Sequence, residues 1–292
     1  MKQYSKLLGL LIVLLISNRS VAQTNPFDAQ YFLNPYIANP AMAGFKEGFR
    51  LNAGYRTQWT NFVGSPRYQN AAIDYRTNKV GLGLTIVNTK AGLLGNTKVV
   101  GTYTYHLPIN GDDKTFSIGM NFGIQNGNFD VRSVNANTND PVITEVGERK
   151  TVADGDIGVA YNSEKFGLEA TVYNLKSRFK SMVFNPADYN TFYMASSLKF
   201  PLSNFNLATK VAYRAYLEDK DIVDLGAELK TKNEKLGLSA IYHTNKSTSL
   251  GISYKQSDKW QFLGVYSSYA KAVSNYTNGS FEVALLINLK KL

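Results

Sequence analysis

Lys114-Thr115-Phe116-Ser117-Ile118-Gly119-Met120-Asn121-Phe122-Gly123-Ile124-Gln125 is the stretch that decides the fold. Phe116, Ile118, Met120, Phe122 and Ile124 alternate with Ser117, Gly119, Asn121 and Gly123. Successive side chains of a strand point to opposite faces, so a period of two gives one apolar face and one small, polar face. A helix would need apolar residues at spacings of three and four instead. The run from Ser280 to Lys290 repeats the pattern, with Phe281, Val283, Leu285, Ile287 and Leu289 against Glu282, Ala284 and Asn288.

Working outward, the same alternation recurs at Phe49–Gln58, Arg67–Arg76, Lys79–Asn88, Thr97–His106, Asp154–Tyr161 and Lys165–Leu175. It continues at Thr191–Phe200, Asn204–Tyr216, Asp221–Thr231, Lys235–His243, Thr248–Gln256 and Lys259–Tyr269. These make fourteen strands, most about ten residues long. Tilted transmembrane strands need ~9–11 residues, whereas strands of soluble domains average ~5–6. An even strand number suits a closed barrel, which leaves no unpaired edge in lipid. The composition agrees: 19 Tyr, 16 Phe and 23 Gly fit strands better than helices. The expected fold is therefore an all-β transmembrane antiparallel β-barrel of fourteen strands. A soluble β-sandwich shares the alternation but not the strand length.

The connections have a polarity. With the first strand rising from the periplasm, Thr77-Asn78, Leu107–Asp113, Asn162–Glu164, Pro201–Ser203, Lys232–Glu234 and Ser257-Asp258 join strands on the periplasmic side, and all are short. The other side carries Trp59–Pro66, Thr89–Asn96, Asn126–Ala153, Lys176–Asn190 and Ala270–Gly279. Short periplasmic turns with longer outer loops are the pattern of outer-membrane barrels. The outer connections near Glu218 and Asn245 are short exceptions.

The N-terminus predicts export. Lys2 and Lys6 precede ten apolar residues, Leu7 to Ile16, and Ser20-Val21-Ala22 offers a small-x-small cleavage site. This is the layout of a secretory signal peptide over 1–22, and ten residues are too few to span a ~30 Å hydrocarbon core as a helix. No other stretch is long and apolar enough for a helical span. Removing Lys2, Lys6 and Arg19 with the signal lowers the net charge from +10 to +7. For an exported protein that balance points to anionic outer-membrane lipid or an acidic partner, not to nucleic acid. The absence of Cys removes disulfides and a lipid-anchor cysteine. The expected organisation is a signal peptide over 1–22, an N-terminal segment over 23–47 that is periplasmic or a plug, and one barrel over 48–292.

By parity, the lumen face carries Arg50, Arg56, Lys210, Arg214, Lys230 and Lys255. It also carries Asp74, Asp156, Glu169, Asp224, Glu228 and Glu282. A selective ion pore lines itself with one sign. Balanced signs suggest internal ion pairs or a wall for a bound polypeptide. A fourteen-strand barrel is wider than its own side chains fill, so either Gln23–Glu47 or Asn126–Ala153 is expected to occupy it.

Constellations for chemistry are sparse. His106 and His243 fall toward opposite ends, and no His, Cys and carboxylate cluster has metal-ligand spacing. No cofactor motif is present: Gly81-x-Gly83 lies inside a strand and reads as small lumen-facing residues. The expectation is a non-enzyme without cofactor or metal. A hydrolase at one rim using His243 is the competing enzymatic reading. Asn245-x-Ser247, Asn275-x-Thr277 and Asn278-x-Ser280 are chance matches to a glycosylation pattern.

One block remains. Gln30, Tyr31, Asn34-Pro35, Asn39-Pro40-Ala41-x-Ala43-Gly44 and Tyr55-Arg56-x-Gln58-Trp59 stand within thirty residues, followed by Pro66 and Gly81-Leu82-Gly83. Asn-Pro steps break helix and start turns. In this block the chain resembles the PorP/SprF family of Bacteroidetes outer-membrane proteins, and its strand rhythm extends the likeness over the whole mature chain. Asn-Pro-Ala by itself also occurs in the N-terminal hatch of FadL-like hydrophobic-transport barrels. The resemblance implies a barrel of type IX secretion and gliding motility. It implies work with periplasmic ring lipoproteins and a peptidoglycan-binding protein, and help in the export or surface attachment of one large adhesin. It carries over no catalytic residue. Asn34, Pro35, Asn39, Pro40, Ala41, Gly44, Tyr55, Arg56, Gln58 and Trp59 are the candidate contacts, either to cargo or partner or between the N-terminal segment and the barrel. The alternative is a FadL-like or porin-like outer-membrane transport channel.

Overall fold

The structure, a computed structural model, describes residues 30–61, 63–109, 114–129, 151–175, 190–216, 221–268 and 278–289. The expected signal peptide, residues 23–29 and most of the Asn126–Ala153 loop lie outside the described residues.

The chain enters through one helical turn, Gln30–Leu33, and two 3-10 turns, Pro35–Ile37 and Pro40–Met42. The strands follow: β1 (Gly48–Gln58), β2 (Arg67–Thr77), β3 (Val80–Ala91), β4 (Leu94–Pro108), β5 (Lys114–Phe129), β6 (Val152–Ser163) and β7 (Phe166–Val172). Then come β8 (Asn190–Pro201), β9 (Phe205–Tyr216), β10 (Ile222–Thr231), β11 (Leu236–His243), β12 (Thr248–Lys255), β13 (Trp260–Ser268) and β14 (Ser280–Leu289). Each pairs antiparallel with its neighbours in sequence, and β14 closes the barrel on β1, from Phe49 opposite Leu289 to Gln58 opposite Ser280. The fourteen-strand closed barrel expected from the alternation is the fold.

The barrel is inside-out relative to a soluble protein. Phe122 is 72 % exposed, Leu238 62 % and Val283 58 %, whereas Arg56, Asp74 and Glu282 are 1–3 % exposed. In water that apolar face would cost ~25 cal/mol per Å². Against acyl chains it costs nothing, so the alternation is the signature of a lipid-facing wall.

Two expectations about length need correction. Thr89–Asn96 is not a loop: β3 and β4 stay paired to Ala91 and Leu94, with Gly92 at φ +58° in the connection. Polar residues keep the ladder going beyond the apolar band, as where Asn88 donates to Thr97 at 2.8 Å. Likewise β5 runs on to Phe129, so Asn126 is strand and not loop. The strands are also uneven. β4 and β5 have 15 and 16 residues, while β11 and β12 have 8 each. The wall is therefore tallest around β3–β5.

One line of the register matters for the site. Arg76 faces Gly81, Gly81 faces Thr104, Thr104 faces Gly119, Gly119 faces Gly158 and Gly158 faces Thr171. Because strands tilt in a barrel, this rung climbs. It starts beside the β2–β3 turn and ends one residue short of the outer end of β7.

Candidate functional site

The N-terminal segment lies along that rung, inside the lumen. Its shape is local. Asn34 and Asn39 each sit in extended conformation before a Pro, and their side chains accept from the Tyr36 and Ala41 amides at 3.2 and 2.9 Å. Pro35 and Pro40 pre-set φ for the 3-10 turns they open. Gly44 turns the chain toward β1 at φ +69°, which a side chain would oppose.

The wall supplies partners in order. The Gly44 amide donates to Asp74 Oδ2 at 2.7 Å, and the same oxygen takes two bonds from Arg50, at 3.1 and 2.8 Å. The Ala43 carbonyl accepts from His106 Nε2 at 2.9 Å, which leaves Nδ1 to accept from Ser117 at 2.7 Å. Thr104 donates to the Pro40 carbonyl at 2.7 Å. Asn39 Nδ2 donates to Val159 O at 3.0 Å, and Thr171 and Tyr173 both donate to the Ala38 carbonyl. These bonds satisfy the carbonyls and amides that an irregular buried segment otherwise leaves unpaired. The Tyr36 hydroxyl donates to Thr102, Thr102 to Asn121, and Asn121 to Asp156, with Lys98 3.6 Å from the same carboxylate. Burial pushes the Tyr36 phenol above its ordinary value, so it remains a donor.

Close approach requires glycine on the wall. A Cβ on Gly119 would stand 2.5 Å from Ala41 N and Pro40 C, one on Gly81 2.2 Å from Ala43 O, and one on Gly158 2.1 Å from Asn39 Oδ1. Gly83 makes the same room for the Tyr36 ring. Ala41 and Ala43 are fully buried in this seat. At the other end of the segment, Lys210 Nζ stands 4.8 Å from the centre of the Tyr31 ring, a cation–π contact, and pairs with Glu169 at 2.5 Å.

Of the ten candidate residues, Asn34, Pro35, Asn39, Pro40, Ala41 and Gly44 come together in the seat. Tyr55 does not: it faces outward and is 38 % exposed. Arg56 and Gln58 face the lumen as parity requires, but near the outer end of β1, where Arg56 donates to Ser280 at 3.3 Å. Trp59 ends the strand in left-handed conformation at φ +52°, its amide bonded to Gly279 O at 2.8 Å. The strand part of the motif thus stands apart from the seat that its Asn-Pro part forms, while Gln30 lies against Gly54 of β1. Sequence reading missed Asp74, His106 and Thr104 as partners of the segment. The lumen-facing glycines were its visible signal.

His106 and His243 are apart, as expected. His243 nevertheless has company. Its Nδ1 stands 2.5 Å from Asp224 Oδ1, its Nε2 3.0 Å from Ser249 Oγ, and Arg214 reaches the same carboxylate oxygen at 2.6 Å. The order Asp–His–Ser matches a hydrolytic triad. Ser249 is only 1 % exposed and also bonds Ser267 at 2.7 Å, so the arrangement in hand is a closed polar network. Among the described residues no cluster of His, Cys, Asp or Glu could hold a metal ion. The Asn245 side chain accepts from the amide and hydroxyl of Ser247, so that glycosylation-like triplet is a turn.

A closed fourteen-strand barrel with a lipid-facing apolar wall and its N-terminal segment seated in the lumen defines an outer-membrane protein. The model of the type IX secretion system membrane protein PorP/SprF family matches residues 20–287, and the chain belongs to that family. No curated protein matches the chain. Among solved structures, the CymD monoaromatic hydrocarbon channel is similar with a TM-score of 0.55 at 11 % identity, over 92 % of this chain and 95 % of that one. A TodX deltaS2S3 mutant monoaromatic hydrocarbon channel follows with a TM-score of 0.51 at 9 % identity, over 87 % and 94 %. At such identities the likeness is one of fold alone.

Proposed function

We propose that this protein is an accessory barrel of type IX secretion that helps export or anchor one surface protein of adhesin type. In this role it contacts periplasmic ring lipoproteins or their peptidoglycan-binding partner through its periplasmic mouth. The N-terminal segment acts as its plug. The observation that carries the reading is the seat itself. The chain is hydrogen-bonded to β2, β4, β6 and β7 along one rung, as suits a barrel kept closed until a partner engages it. Paired lumen charges such as Arg50–Asp74 and Arg214–Asp224 support it, since they neither select a solute ion nor repel a polypeptide. The test is to delete the gene and compare secreted and surface proteomes by mass spectrometry. Loss of one surface protein marks a dedicated partner, and loss of many marks a core component. An unchanged proteome overturns the reading.

A transport channel is the second reading. It is favoured by the fold shared with the two hydrocarbon channels and by a cavity of about 560 Å³ in the lumen. Loss of uptake of a small hydrophobic or sugar solute on deletion, with an unchanged surface proteome, would support it.

A further inference from the structure

The segment does not fill the lumen evenly. Its hydrogen bonds run to the β2–β7 side, and the cavity of about 560 Å³ lies between it and the β8–β14 side. The cavity lining includes Lys165, Pro201 and Glu234, which stand in or beside the short turns, so the cavity opens at the periplasmic mouth. The volume falls within the ~300–1,000 Å³ of ligand sites.

Its chemistry is uneven too. Seven Lys or Arg side chains line it against four Glu. Lys210 and Lys230 are held by Glu169 and Glu228 at 2.5 and 2.9 Å. Lys46, Lys165 and Lys199 have no ion pair among the described residues; Glu164 and Glu234 are the carboxylates in the same position. Lys46 reaches solvent, yet enclosure in the mouth and then the charge of Arg50 push its ammonium below the ordinary lysine range. Glu234 pulls the other way, while Lys230 and Lys255 add to the depression. Like charges gathered in a concave, partly dry site raise the local potential for an anion. The lining adds apolar surface from Tyr31, Pro35, Met42 and Phe45 of the segment and from Leu286 of the wall.

We infer that this crescent is a binding site for an acidic stretch of extended polypeptide that carries apolar side chains, entering from the periplasm. A bare anion would use the lysines but leave the apolar lining, Glu164 and Glu234 without a role. A polypeptide supplies carboxylates, apolar groups and backbone donors together. The inference rests on the reading of the barrel as a partner of polypeptides, and it deepens that reading by naming the chemistry recognised.

The test uses the full mature chain, purified in detergent micelles, with two fluorescein-labelled eight-residue probes. One alternates Glu with Phe and the other alternates Lys with Phe. The acidic probe should bind by anisotropy and weaken as salt rises. Lys199→Glu combined with Lys230→Glu should weaken it at least ~10-fold, as loss of ~1.4 kcal/mol would. Lys199→Gln with Lys230→Gln should give an intermediate loss. The folded state of each variant is checked by heat-modified migration on gels. Equal binding of both probes, no binding by the wild-type barrel, or full binding by the charge-reversed variant overturns the inference. Displacement by inorganic phosphate at the probe's own concentration overturns the polypeptide and leaves an anion site. The proteome comparison is independent. A secretion defect on deletion would stand if no probe bound, and probe binding would stand if the proteome were unchanged.

Discussion

Gly119→Ala tests whether the segment is a seated plug. A Cβ there would stand 2.5 Å from Ala41 N, Pro40 C and Pro40 O, all backbone atoms that cannot rotate away. Carbon contacts settle near ~3.5–4.0 Å, so the 3-10 turn must back off by roughly 1 Å. The Thr104–Pro40 bond, 2.7 Å long, then exceeds hydrogen-bonding range. The bond from Asn39 to Val159 O, at 3.0 Å, moves with it. Each lost bond costs about 1 kcal/mol net, and residual crowding adds about 1–3 kcal/mol. The seated state should lose about 3–5 kcal/mol, a shift of at least ~100-fold toward the unseated one. Barrel pairing is untouched, because the new methyl points into the lumen. In planar bilayers the variant should conduct more than wild type, and limited proteolysis should cut within 30–44. Gly101→Ala is the control, since its nearest neighbour would be Phe122 O at 3.9 Å on the lipid side. If Gly119→Ala matches Gly101→Ala in both assays, the plug reasoning is wrong. Deleting residues 23–47 should raise conductance further still.

Other perturbations follow from the same contacts. Asp74→Ala removes the acceptor of Gly44 and strands the buried Arg50, so the barrel should lose about 3–5 kcal/mol and unfold at lower urea; Asp74→Glu should recover part of the loss. Asn39→Ala forfeits the bond that caps the turn and the one to Val159, and should free the segment to protease at a cost of about 1–2 kcal/mol without altering barrel migration. Ser249 should resist a fluorophosphonate probe, because it is buried and bonded to both His243 and Ser267. His243→Ala should instead lower the unfolding midpoint, and labelling of Ser249 would revive the hydrolase reading.

The wall was legible because membrane strands show their environment twice. Phe116 to Ile124 alternates over a length that soluble strands do not need, and parity alone assigned Arg56, Asp74 and Glu282 to the lumen, where they are buried. Parity fails where polar residues pair above the lipid. Thr89 and Asn96 look like a loop, yet they lie opposite one another in the β3–β4 ladder. The seat was legible only in half. Two Asn-Pro steps and Gly44 announced a shaped segment, but its partners depend on the stagger of the barrel. Parity places Gly81, Thr104, Gly119 and Gly158 on the lumen face without saying that they share one climbing rung. That follows from register, which turns, bulges and closure set together. Tyr55 went the other way for the same reason, since a motif continuous in sequence alternates faces once it becomes strand.

The division of the lumen couples its two halves. The segment is pinned by hydrogen bonds on the β2–β7 side, and on the other side Tyr31 stands over Lys210 while Tyr31 and Ala38 share an apolar cluster with Tyr193, Ala195 and Ala212. Room beside it lies in the cavity, toward the periplasmic mouth. A polypeptide held in the crescent would take that room and pack against Tyr31, Met42 and Phe45, so occupancy would stabilise the seated state. Linkage makes the effect reciprocal: a segment loosened by Gly119→Ala must bind the acidic peptide more weakly, and bound peptide must in turn favour the seated segment. With the peptide at a hundred times its dissociation constant, the gain in the seated state is about 2.7 kcal/mol. That is large enough to offset most of the damage done by a single added methyl group. A barrel built this way would keep its seal while a secreted chain is engaged from below, which an open pore cannot do.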